Sequence, residues 1–398
     1  MVDIREYLRK KEKNEKKDSK NFKREIRAHR LKVILRSCCV IGVIAALTVT
    51  AVTLLKNQTY SGYTVVSAID RNQVSGSTLL SYQNGFLTYS KDGISYTDNK
   101  GNAIWNQTFE MQDPMVRIAR TRVAVADYNG HIIHNIALSG DAVEIDTNLP
   151  IRQFALAENG MVAAILEDTN ITWIYLYNSA GEKVAYIKTT MQKSGYPAAV
   201  ALSPDGKLMA VSYITVESGA AKSSVAFYNF SSVGQNFVDN FASGADYVDA
   251  VIPYLTFING DTAFAVADNR LVIYSGDQRP KSTADVSLEE EIQSIFYNEN
   301  YIGLVFLDTT GAGKYRLDIY NTSGTVVTSL YFDMDYKDII LYKDIVIIYN
   351  ETQCTIFNMK GLERFRGEFE KPVLLFSPLS TKKYLTVSKD SIDIIEMK

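Results

Sequence analysis

Hydrophobic and polar positions change their rhythm twice along the chain. Residues 1–36 are mostly charged, with no apolar stripe long enough to build a core. Residues 37–55, SCCVIGVIAALTVTAVTLL, then run for 19 positions without a charge. At ~1.5 Å of rise per residue this is about 28 Å of helix, close to the ~30 Å of a bilayer's hydrocarbon core. From Tyr63 onward, short runs rich in Val, Ile, Tyr, Phe and Thr are broken every five to ten residues by Asn, Asp and Gly. That pattern predicts β-strands joined by tight turns. The segment SLEEEIQS, residues 287–294, is the one place read as a short turn of helix.

The strands repeat. An apolar–x–apolar run, then Asn or Asp, two residues, Gly and a further strand recurs as ISYTDNKGNAIW (94–105), IYLYNSAGEKVAYI (174–187), LDIYNTSGTVVTSL (317–330) and CTIFNMKGLERF (354–365). A looser copy is IIHNIALSGDAVEI (132–145). The glycines at 101, 140, 181, 324 and 361 lie 39, 41, 143 and 37 apart, and the long step holds three repeats, marked by SSVAFYNF (223–230) and RLVIYSGD (270–277). Asn/Asp-x-x-Gly suits a type I turn whose glycine takes the left-handed conformation. Each phrase follows another hairpin whose turn reads Asn84-Gly85, Asn159-Gly160, Asp205-Gly206 or Asn259-Gly260. Four strands in about 40–45 residues is the signature of a propeller blade.

The fold class expected is therefore all-β, a β-propeller of about eight four-stranded blades preceded by one transmembrane α-helix. Blades begin near Ser77, Asp113, Pro150, Gly195, Ala245, Glu291 and Tyr336. The C-terminal stretch from Pro372 supplies three further strands, and the N-terminal strand YTVVSAID (63–70) has no blade of its own. Pairing them closes an eighth blade and removes both sheet edges; seven blades follow if one hairpin is miscounted.

Charge adds a direction. Residues 1–36 hold fourteen Lys and Arg against six Asp and Glu, whereas the rest holds twenty-eight against thirty-nine. The positive-inside rule puts such a tail in the cytosol. The expected organisation is a basic cytoplasmic tail (1–36), a transmembrane helix (37–55) contacting the lipid bilayer, a short linker (56–62) and an extracellular propeller (63–398) of a single-pass cell-membrane protein. The basic segment exceeds a signal peptide's n-region and the apolar run its h-region, although small residues such as Ala51 keep a cleavage reading open. Six Lys in KKEKNEKKDSK make the tail a disordered or fraying helical anchor. Ile4, Tyr7 and Leu8 share one helical face, which leaves a short partner- or membrane-binding helix as the other reading. Cys38 and Cys39 lie in the apolar run and only Cys354 beyond it, so no disulfide forms within the outer domain. Six N-x-S/T sequons, at Asn57, Asn106, Asn170, Asn229, Asn321 and Asn350, read mostly as turn chemistry.

ALSPDGKLMAV (201–211) resembles the innermost hairpin of bacterial WD40-like and TolB-like propellers, with LFSPLS (375–380) a weaker echo. Residues 94–105 resemble the Gly-x-x-x-Trp turn of the pyrroloquinoline-quinone-like repeat. The whole chain is similar to families of bacterial, mainly Gram-positive, membrane-anchored proteins in which a basic tail and one membrane helix precede a propeller-like domain of unknown function. The resemblance implies fold and topology and no cofactor: a single blade keeps the Trp, and the Trp-Asp and Gly-His dipeptides of WD40 repeats are missing.

No catalytic constellation stands out. His131 and His134 are i and i+3, on opposite faces of a strand, and so do not share a metal. Cys354 lies in a strand phrase, where a buried thiol is inert. Asp333 and Asp335 share one strand face but near its end, where solvated carboxylates are common. No G-x-S-x-G elbow or phosphate-binding glycine loop occurs. The acidic outer domain makes nucleic acid an unsuitable partner.

One regularity remains. In the proposed frame every blade offers a carboxylate between its second and third strands: Asp92, Asp127, Asp168, Glu217, Asp268, Asp308, Glu351 and Asp390. On one rim these form a negative ring suited to docking a partner; alternatively Asp stands there for local hydrogen bonding. The expected function is a non-catalytic binding or scaffold module for a protein or cell-envelope polymer, without a cofactor or metal. The alternative is a surface hydrolase acting on glycans or peptides.

Overall fold

The computed structural model describes residues 4–71, 76–217, 219–248 and 250–398; side chains at 4–6, 14–28, 33, 49, 51, 52, 54–56 and 217 lie outside that description. Two compact units result, residues 1–58 and 59–398. The first is one α-helix, Ile4–Lys56. Within it His29–Thr48 is long and apolar enough to cross a membrane. The basic segment continues this helix rather than fraying. Its Lys, Glu and Arg are strong helix formers.

The second unit is an eight-bladed β-propeller of four-stranded antiparallel sheets. Blades 1 to 7 occupy residues 78–108, 114–146, 151–189, 196–248, 254–287, 292–332 and 338–368, each in simple strand order from the first, innermost strand to the fourth. Blade 8 takes Val373–Pro378, Lys383–Ser388 and Ser391–Met397 from the C-terminal stretch, and Tyr63–Asp70 pairs antiparallel with the last of these as its outermost strand. The closure expected from the two leftover pieces is the one observed, and it leaves the ring without an open seam.

Burial explains the texts of the strands. Second strands are covered by neighbouring blades on both faces, so they are continuously apolar: Val123–Ala126 and Ala163–Leu166 are all at most 1% exposed. Such side chains each contribute about 1.5–3 kcal/mol on burial. Fourth strands have one covered face and therefore alternate, as in Lys183–Thr189. First strands face the central channel.

The Asn/Asp-x-x-Gly phrase is the turn between third and fourth strands. The Asp98 carboxylate accepts the main-chain N–H of Lys100 and of Asn102, each at 2.8 Å, and Asn178, Asn321 and Asn358 accept the equivalent pairs. The glycine follows with positive φ, +96° at Gly140. Its bare Cα lies against the outer strand of the preceding blade: a Cβ on Gly140 would come within 2.6 Å of Trp105. Each such turn thereby tucks under its neighbour.

Two boundaries differ from expectation. Blade 5 starts at Tyr254 and not near Ala245, which belongs to the fourth strand of blade 4, Phe241–Val248. The second and third strands of that blade each run ten residues, and two 3₁₀ turns, Gly234–Asn236 and Val238–Asn240, precede its fourth strand. Residues 287–294 form no helical turn: Lys281–Ser287 and Ile292–Tyr297 are strands joined by a short linker. Ile292 and Ile295 pack into the core, and that burial outweighs the helix propensity of three consecutive glutamates.

Candidate functional site

All eight carboxylate positions lie at the turn between the second and third strands of their blades, at the end of the second strand or just after it. Those turns share a side with the linkers between blades: the N–H groups of Phe109, Leu288 and Phe369 donate to carbonyls of Asp92, Asn269 and Thr352. Several of the carboxylates have local work. Asp127 accepts the N–H groups of Gln112 and Asp113, at 3.0 and 2.6 Å, and Asp268 accepts that of Val251 at 3.0 Å, so both hold the strand entering their own blade. Asp308 has its pKa lowered to about 2; desolvation opposes this and is outweighed by the combined hydrogen bonds from the hydroxyl and N–H of Thr310 and the N–H groups of Gly313 and Ala312. Glu351 lies 3.6 Å from the Lys337 ammonium, and Asp168 accepts the Thr169 hydroxyl at 3.5 Å. Asp92 and Asp390 accept main-chain N–H groups through their carbonyls, from Phe109 and Arg71. The side chain of Glu217 lies outside the described residues.

The remaining sequence candidates are dispersed. His134 stacks on Phe109 with ring centroids 5.4 Å apart, and its pKa is lowered by burial against the opposing pull of Glu144. His131 precedes that strand, and among the described residues no His, Cys, Asp and Glu group has metal-binding geometry. Cys354 is fully buried in blade 7, and burial pushes its thiol far up. Asp335 binds the Lys314 ammonium and the Tyr315 hydroxyl, which hold its carboxyl down, while Asp333 accepts the Lys314 N–H at 3.0 Å. Both carboxylates tie the segment after blade 6 back to the start of that blade's third strand.

Polar groups converge instead in the channel. A cavity of about 480 Å³ is lined by the first strands of blades 2 to 6, with Arg117, Gln153, Tyr254 and Tyr297 beside Ile118 and Leu156. A second cavity of about 260 Å³ shares Arg117 and Gln153 and reaches Tyr128, in the second-to-third turn of blade 2. Arg117 therefore stands between the channel and the side that carries the acidic turns.

Arg117 is held without a counter-ion. Its Nε donates to the Phe154 carbonyl at 3.1 Å and its Nη1 to the Val116 carbonyl at 3.0 Å, with the guanidinium 5.4 Å from the Phe154 ring centroid. Among the described residues no carboxylate pairs with it. Burial pulls its pKa down, partly offset by Tyr254 and Tyr297. Nearby Arg152 makes the contrast, bound by Glu167 and the Tyr128 hydroxyl. The Gln153 Oε1 is buried with no hydrogen-bond partner. The hydroxyls of Tyr254 and Tyr297 lie together, and burial raises the pKa of Tyr254, so it stays protonated. A cation, an unpartnered acceptor and neutral hydroxyls around one cavity are the makings of a binding site.

None of these channel residues was singled out from sequence. Arg117 reads there as an ordinary strand arginine in PMVRIA, and its companions are spread from 153 to 297. The usable signal was polar side chains in first strands that are otherwise apolar.

The sequence pattern of DUF5711, described as a family of unknown function, matches residues 56–397. Among solved structures, Sqt1 from Chaetomium thermophilum is 13% identical, with 85% of this chain and 100% of that chain covered at a TM-score of 0.54. A second Sqt1 structure, bound to the N-terminus of the ribosomal protein L10, gives 0.52 with 13% identity and coverage of 84% and 100%. Apo AztD from Citrobacter koseri gives 0.51 with 8% identity and coverage of 77% and 93%. At such identities the likeness is one of fold. No curated protein matches the chain.

Proposed function

The chain belongs to the DUF5711 family, of unknown function, and from that premise we propose that its propeller is a non-catalytic binding module for a protein partner, held at the outer face of the cell membrane. The observation that carries the reading is the channel cavity in which Arg117, Gln153, Tyr254 and Tyr297 meet without a counter-charge of their own. A half-buried guanidinium lacking an internal anion keeps donors that a ligand can complete. The Sqt1 propeller, solved with the N-terminus of another protein bound, is a case of this fold engaging a peptide end.

The topology belongs to the same proposal. Residues 1–36 are the cytoplasmic tail, 37–55 the membrane span, 56–62 the linker and 63–398 the exported domain. The apolar run followed by Lys56 and preceded by a tail of fourteen cationic residues supports this orientation. The carboxylates from Asp92 to Asp390 act through their summed field around the mouth, since several already serve the fold.

The test has two arms. Protease added to intact, wall-stripped cells should degrade the propeller and spare the tail. In-cell crosslinking through a photoreactive group at Ile118 should capture a defined envelope protein. A propeller protected from protease while the membrane stays sealed refutes the topology, and an Ile118 probe that captures nothing beyond an inert surface position refutes the binding role.

A further inference from the structure

We infer that the channel cavity receives the carboxyl terminus of a peptide whose last residue is apolar, its carboxylate on Arg117 and its amide N–H on Gln153. This rests on the binding-module reading and names the ligand of that site.

The donor inventory makes the first part of the case. A guanidinium carries about five N–H donors in a planar fork. In Arg117 the Nε and one Nη1 hydrogen are spent on the Phe154 and Val116 carbonyls. The remaining donors, on Nη1 and Nη2, form the end of the fork, the geometry that takes both oxygens of one carboxylate. Those two carbonyl contacts and the Phe154 ring beneath fix the guanidinium plane in advance, so little side-chain freedom is lost on binding.

The second part is the acceptor. The Gln153 Oε1 lacks a donor and has no surface open to the cavity, but Gln153 lines both cavities together with Arg117, so a turn of its side chain presents the oxygen to a ligand. A simple inorganic anion answers Arg117 and leaves that oxygen orphaned. A ligand must bring an oxyanion and an N–H a few bonds apart, and the C-terminal residue of a peptide carries both. The walls give the third requirement. Ile118, 41% exposed although a large hydrophobic residue, lines the cavity together with the half-buried Leu156. They suit an apolar terminal side chain, which leaves water on entering. The acidic turns around the mouth favour cationic residues upstream of that terminus.

The test uses full-length protein in detergent micelles and three probes: N-acetyl-Lys-Ala-Leu with a free carboxylate, the same peptide as its C-terminal amide, and inorganic phosphate. Binding is read by ligand-observed saturation-transfer NMR, with phosphate as a competitor. The free acid is expected to bind at least tenfold tighter than the amide and to resist an equal concentration of phosphate. Arg117→Gln should remove the preference for the acid, whereas Gln153→Ala should weaken acid and amide alike. The acid–amide contrast on the unmutated chain needs no variant to fold. Equal binding of acid and amide, an Arg117→Gln variant that keeps the preference, or displacement by equimolar phosphate each overturns the assignment. If Ile118 crosslinking still captures a partner in that event, the binding-module reading stands and only its ligand chemistry is wrong.

Discussion

Asp338 opens the first strand of blade 7, paired with Tyr349. Burial raises its pKa from an ordinary 3.8 to about 6, against the smaller opposing effects of the Ile339 N–H, 2.8 Å away, and Lys337. A tenfold change in proton affinity is worth about 1.4 kcal/mol, so ionising this carboxyl in the folded protein costs about 3 kcal/mol more than in the unfolded chain. The direction follows from proton counting. Between the two pKa values the folded state holds the proton and the unfolded state does not, so stability falls as pH rises through about 4 to 6. The penalty is absent below that window and complete above it. Asp338→Asn removes the charge while its amide oxygen can still accept from Ile339. The variant should therefore be more stable than the parent at pH 7, by about 3 kcal/mol at most, with the gap closing towards pH 4. Paired urea unfolding curves at half-unit pH steps, followed by circular dichroism, measure the gap. Infrared titration of the isotopically labelled carboxyl should show a midpoint near 6. A gap that is constant from pH 4 to 7, or a variant less stable at pH 7, refutes the reasoning.

Two further outcomes test the fold. Gly140→Ala combines a φ of +96° with a Cβ placed 2.6 Å from Trp105, so it should destabilise the propeller by more than the ~1 kcal/mol of the backbone term alone; an unchanged urea midpoint would deny that the turn is locked under blade 1. Deleting residues 63–70 strips the outer strand from blade 8 and exposes the edge of Ser391–Met397. That protein should aggregate or bind amyloid dyes while blades away from the seam keep their protection in hydrogen exchange, and a soluble monomer of parental stability would contradict the closure.

Much of this architecture was legible because its signals are local. Asn178 and Gly181 fit the third-to-fourth turn for reasons confined to four residues: a side-chain acceptor for two N–H groups and a backbone needing positive φ. The leftover strands at the two ends announced the eighth blade because an unpaired edge is unfavourable. Blade 4 displaced the expected start of blade 5 to Ala245, since its hairpin arms are ten residues long and nothing local sets strand length. The channel site was silent for a different reason. Arg117, Gln153, Tyr254 and Tyr297 belong to four blades, and only the ring brings them together. Whether such a residue points into the channel depends on the register of its strand, and one step of register exchanges the faces.

The joint between the first and last strands also sets an order of events. Thr64 and Glu396, neighbours in blade 8, lie 332 residues apart in the chain. At roughly 5–20 residues per second a ribosome needs about 20 to 60 s to make that interval. Throughout it the earliest strand waits alone while seven blades emerge and stack. A nascent chain of this protein therefore passes through a long-lived incomplete ring whose final clasp arrives only when residues 391–397 are made, and a ribosome stalled anywhere short of them leaves a molecule that has nearly all of its contacts but no lock.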